Sequence, residues 1–195
     1  MMKNFFSQHG YTCLKLFINQ FVISIFGFSL AMTTASMGND TFSIAVSVFA
    51  VLFYIFLVYN VMWEVGAKDR LSVDLGKKKK NLSTGLLIAL VASIPNFIIA
   101  ILYTIGYPFM QNQEWAASLC AVVKVISLFV EGMYAGLITS ISFGGVQLSN
   151  FWFTYFVIII PTVASVWVSY LIGFSNFRFF PSFSTPKASD EKHRK

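Results

Sequence analysis

Charge is what this chain has least of: Asp, Glu, Lys and Arg together make up 11% of its 195 residues. A water-soluble domain carries about 25%, so this chain cannot cover an ordinary surface with ionised groups, which argues against a free-standing soluble fold. Histidine is confined to His9 and His193, both in the terminal segments, and no aspartate falls inside an apolar run. That argues against intramembrane hydrolysis by a serine and histidine pair or by paired aspartates. The two cysteines, Cys13 and Cys120, fall at different depths of the reading below, which supports neither a disulfide nor thiol redox chemistry. There is no HExxH, no metal-ligand cluster, no phosphate-cradling glycine loop and no polar stretch large enough to hold a nucleotide. No cofactor, metal or nucleic-acid partner is expected, and no enzyme.

What the chain has instead is hydrocarbon, with 56% hydrophobic and 17% aromatic residues. It is distributed as five runs, over 16–37, 41–63, 84–107, 116–138 and 151–173. Each is close to the roughly 20 residues that span a bilayer core as a helix. Within lipid the backbone must satisfy its own hydrogen bonds, so the runs are expected to be helices. A β-barrel is set aside because 86–91 and 156–160 do not alternate apolar and polar residues. The fold class read here is an all-α polytopic integral membrane protein. Its parts are a cytoplasmic segment 1–15, a transmembrane domain 16–175 with a basic inner loop 64–83, and a basic tail 176–195. The first run is read as a retained span, because it is longer than a signal-peptide core and a second span follows a three-residue turn.

Basic residues set the orientation. All but Lys124 of the fourteen Lys and Arg fall at the amino terminus (Lys3, Lys15), in the loop after the second run (Lys68, Arg70, Lys77, Lys78, Lys79, Lys80) or in the tail (Arg178, Lys187, Lys192, Arg194, Lys195). The positive-inside rule places all three in the cytoplasm, with the amino terminus inside, in what is most simply a bacterial cytoplasmic membrane. Five plain spans would put the basic tail outside. The expectation taken is an even number of crossings, the fourth segment over 116–148 being re-entrant or broken at Gly144 and Gly145; the alternative is a fifth ordinary span with a translocated tail.

The fourth segment also holds Lys124 and Glu131, the only charges well inside an apolar run. Ionisable groups at that depth are costly and normally face a protein interior, a cavity or each other. Seven residues apart on one helix, they would share a face to within about 20° and lie about 10 Å apart. Val123, Ile126, Val130, Met133 and Leu137 would then form an apolar face toward lipid. The functional reading makes Glu131 a proton or cation site with Lys124 as counter-charge; the plainer one is an internal ion pair.

Small residues at fourth positions, Gly132, Gly136, Ser140 and Gly144, with Ser165, Ser169 and Gly173 in the fifth run, point to close helix packing between these two segments. Pro95 with Asn96 in the third run and Pro161 in the fifth predict bends that free the carbonyls of Val91 and Val157. Asn19, Gln20 and Asn60 are placed in one polar cluster with Glu131. Trp63, Trp115, Trp152 and Tyr170 are read as an interfacial belt. Lys77, Lys78, Lys79 and Lys80 are read as a topology anchor near anionic headgroups.

Two functions from different classes follow. One is a transport-related membrane subunit that binds a small solute or ion near Glu131, Lys124 and Asn96. It would need an ion gradient, a homo-oligomer or an ATPase partner. The other is a non-catalytic partner that assembles with or regulates another membrane protein.

Overall fold

Two helices of 35 residues each, α1 (Met2–Ser36) and α2 (Asp40–Asp74), form the frame of the chain. The computed structural model describes residues 2–177, with side chains from residue 5 onward. The tail residues Arg178, Lys187, Lys192, Arg194 and Lys195, together with His193 and the side chain of Lys3, lie outside what is described. Gly38 takes φ +66°, which permits the tight turn between the frame helices. Asn39 then caps α2, its side chain accepting from the Phe42 amide at 3.0 Å, and Asp40 sits where the helix dipole favours an anion.

Both frame helices run past their apolar stretches. α2 continues through the charged residues after Trp63, where Glu64–Lys68 at 3.9 Å and Arg70–Asp74 at 3.6 Å are i,i+4 pairs. The loop expected over 64–83 is therefore shortened to 75–82.

The third run is two helices, α3 (Ser83–Ala92) and α4 (Ile94–Gly106), bent by 55°. The bend falls at Ser93, so that Pro95 occupies the first turn of α4, where a missing amide costs nothing. The fourth run is also two pieces, α5 (Glu114–Val130) and α6 (Ala135–Ser140), joined by a 3₁₀ turn over Gly132–Tyr134 and bent by 92°. A two-residue hairpin, β1 (Ser142–Phe143) and β2 (Val146–Gln147), follows. The last run is α7 (Thr154–Val157) and α8 (Ile159–Phe174), interrupted at Ile158 just after the carbonyl that Pro161 frees. Among the described residues three helices are long and apolar enough to cross a membrane, Phe5–Ser36, Asp40–Asp74 and Thr154–Phe174, and up to five if each bent pair counts as one.

Contacts define two ends. At the basic-loop end the start of α1 meets α3, with Cys13 Sγ 3.9 Å from the Ile88 carbonyl. The end of α2 meets the end of α8 there: Trp63 Nε1 donates to the Phe177 carbonyl at 2.6 Å and Arg70 to the Phe174 carbonyl at 3.3 Å. At the opposite, turn end, Thr34 Oγ1 donates to Ser43 Oγ at 3.1 Å. α5 starts beside the far end of α4, where Gly106 lies against Cys120. It reaches the middle of α1 at Gly132, which lies against the Ser24 carbonyl; α6 then climbs back to Ser43 and Ser47 at the start of α2. α6 thus returns to the turn end, beside the start of α2.

Three expectations need correction. The break in the fourth segment lies at Glu131, and Gly144 and Gly145 (φ +60° and +82°) only form the hairpin tip, with open space around them. The expected outer face holds only at Ile126: Val123, Val130 and Met133 are buried, and the exposed stripe of α5 is Val122, Val125, Ile126 and Phe129. The bend takes Met133 out of the helical phase, whereas Val123 and Val130 lie on α5 itself, which packs on α4 and α1. The small residues, finally, do not join the fourth segment to the fifth. Gly132 packs on α1 and Gly136 on α2, while Gly173 packs on α2 at Trp63. Ser165 and Ser169 spend their hydroxyls on carbonyls of their own helix, and Ser140 is only half-buried.

Candidate functional site

Glu131 ends α5 with φ −125° and ψ 13°, a conformation outside the helix. Its backbone is satisfied: its amide donates to the Ser127 carbonyl at 2.7 Å, and its carbonyl accepts from Tyr134 at 2.9 Å. What holds the break in place is α1. The carbonyl of Val130, released by the bend, accepts from Gln20 Nε2 at 3.0 Å and Ser24 Oγ at 2.8 Å. This approach needs glycine on both sides, because a Cβ on Gly27 would fall 2.6 Å from Met133 Cα, and one on Gly132 would fall 2.5 Å from the Ser24 carbonyl. Gln20 was placed in the right cluster by the sequence; Asn60 was not, being exposed and bonded to the Phe56 carbonyl of its own helix.

The Glu131 side chain is 3% exposed, and neither carboxylate oxygen has a hydrogen-bond partner. Tyr134 and Tyr155 lie within electrostatic range of it. Tyr134 contacts α8 through Thr162, the two hydroxyls 3.4 Å apart. Tyr155 packs its ring 4.5 Å from that of Tyr103.

Lys124 is not the partner of Glu131. Its Nζ donates to Asn150 Oδ1 and stands 5.7 Å from the centre of the Tyr103 ring. The shared face inferred from the spacing of seven does not survive, because the helix ends between the two residues. Asn96 is buried on α4, which packs on α5, and its Oδ1 also lacks a partner, as do the hydroxyls of Ser47, Ser93 and Tyr103. Each such buried atom costs about 1–3 kcal/mol, and more when charged. Asn96 Oδ1 can only accept, and the two Glu131 oxygens do so when the carboxyl is ionised.

A second polar group was not found from the sequence. Asp69, largely buried on α2, accepts from Lys78 Nζ at 2.8 Å and from the Tyr170 hydroxyl at 3.0 Å. His9, also buried, faces this pair. Tyr170, expected in an aromatic belt, is instead 1% exposed. One signal existed. The buried stripe of α2 passes through Ala50, Tyr54, Val58, Met62, Gly66 and Asp69 in helical phase, so extending the helix beyond Trp63 puts Asp69 inside. Among the described residues no group of three or more His, Cys, Asp or Glu side chains is arranged to hold a metal ion.

No family model matches the chain, and no curated protein or solved structure shows a significant match to it.

Proposed function

We propose that this is a multi-pass membrane protein, a transport-related subunit that binds a small cation or a protonated amine at Glu131. The observation that carries the reading is the enclosed carboxylate with two unpartnered oxygens at a broken helix. A break at mid-depth, facing a charged group, is how membrane helices commonly form ion and solute sites. Asn96 supplies a further acceptor from α4, while Lys124 fixes α5 to the 148–150 turn through Asn150.

The orientation proposed has the basic-loop end in the cytoplasm, with four crossings and the α5–α6 pair re-entrant from the outside. It is supported by the meeting of the start of α1, the 75–82 loop and the end of α8 at one end. Such a pair keeps its irregular backbone within protein, as the bilayer requires. A reporter active only in the cytoplasm is expected to work after residue 195 and equally within 75–82. Opposite sides for the two fusions would mean an odd number of crossings and remove the re-entrant pair.

Binding is tested on purified protein in detergent with sodium, potassium, lithium and methylammonium, following the thermal midpoint. A ligand at one hundred times its Kd adds about 2.7 kcal/mol to the folded state. At least one of these ions is expected to raise the midpoint saturably in the wild type, with no effect in Glu131→Gln. A flat response in the wild type, or a response that Glu131→Gln retains, would favour the non-transporting partner role.

A further inference from the structure

At the basic-loop end a cavity of about 240 Å³ opens between α1, α2, α3 and α8, next to the Asp69 pair and away from Glu131. Its lining joins two chemistries: His9, Lys78, Lys79, Asn81 and Thr84 are polar, and Phe5, Leu87 and Phe174 are apolar. The single acid among them is already engaged, since Asp69 receives Lys78 on one oxygen and Tyr170 on the other. Lys79 takes part in no ion pair among the described residues. The cavity therefore presents uncompensated positive charge beside donors, with hydrocarbon adjoining.

We infer that this cavity binds the phosphate of an anionic phospholipid, its glycerol end lying along the Phe5, Leu87 and Phe174 wall. A phosphate brings strong acceptor oxygens and negative charge, which suit a lysine, an amide and a hydroxyl together. The acyl chains explain why a charged cavity also has apolar lining residues, which a soluble anion would not need. The inference rests on the proposed orientation only for the level at which the cavity meets the bilayer. It is independent of Glu131.

The test uses the full chain purified in a neutral detergent, with phosphatidylglycerol, phosphatidylcholine or inorganic phosphate added, and bound lipid read by native mass spectrometry. Phosphatidylglycerol is expected to bind at least about fivefold more tightly than phosphatidylcholine, the factor one lysine near an anionic headgroup supplies. Lys79→Gln should remove about that factor. Lys77→Gln, at a lysine lining neither this cavity nor its neighbour of about 440 Å³ by Arg70 and Lys80, should leave binding unchanged. His9→Gln, which keeps a polar wall, is the second variant if Lys79→Gln does not fold. Equal binding of the two lipids, or equal losses at Lys77 and Lys79, overturns the site in favour of a diffuse basic surface. Displacement of phosphatidylglycerol by inorganic phosphate at matching concentration would assign the cavity to a soluble anion and overturn the lipid.

Discussion

Glu131→Met is expected to make the ligand-free protein more stable than the wild type. The carboxylate is almost fully enclosed and neither oxygen has a partner, so the native state carries the desolvation of a polar group without a compensating bond. Methionine has a similar length and volume, fills the same space and leaves nothing unsatisfied. Replacing an unsatisfied buried group with an apolar one of the same shape should return about 1–3 kcal/mol. For a chain of this size each kcal/mol moves the thermal midpoint by about 2–4 °C. The same variant is expected to lose every cation-dependent shift. A drop in stability would mean that Glu131 is held by a bond the native protein makes, and the reading of the residue as a ligand site would fall with it.

A stabilising loss-of-function variant is the signature that separates a site from a structural element. Lys124 provides the contrast, because its amine is engaged by Asn150 and ties α5 to the turn that precedes α7. Had the two charges been a packing device, they would be bonded to each other, and removing either would destabilise the protein.

The helical class and the approximate places of the five segments were legible in the sequence, because runs of about 20 apolar residues without alternation admit little else. The even number of crossings rests on charge alone, since the positive-inside rule asks the basic residues to share one side; the described contacts bring the 75–82 loop and the end of α8 together, while the basic residues of the tail lie outside the described residues. The location of the break was not legible. Glycine pairs are the usual breakers, yet Gly144 and Gly145 serve a hairpin, while the bend falls on Glu131, whose one local signal is the single glycine Gly132 just after it. Its cause is tertiary: Gln20 and Ser24 on α1 take the Val130 carbonyl, more than one hundred residues away in the chain. Asp69 was hidden for a related reason. Reading helices only as long as their apolar stretch stops α2 at Trp63, whereas i,i+4 ion pairs carry it to Asp74.

Gly66→Val and Gly173→Val are expected to be the most damaging substitutions in the chain. These residues form one crossing between α2 and α8. A Cβ on Gly173 would stand 2.2 Å from the Trp63 carbonyl oxygen and 2.7 Å from its Cα, and one on Gly66 would stand 2.3 Å from the Tyr170 carbonyl oxygen. The obstacles are backbone, which cannot swing aside as a side chain can. The helices would have to separate, and the Trp63–Phe177 and Arg70–Phe174 bonds would go with them. Ordinary overpacking costs about 1–3 kcal/mol, and each of these variants is expected to exceed it, with loss of monodisperse protein in detergent as the readout. Gly10→Ala, in the same kind of helix with nothing within 4 Å, should instead gain about 0.5–1 kcal/mol. Because both glycines serve one crossing, the double variant should cost less than the sum of the two: once α2 and α8 have parted, the second side chain has nothing left to strike. Fully additive losses would place Gly66 and Gly173 in separate contacts.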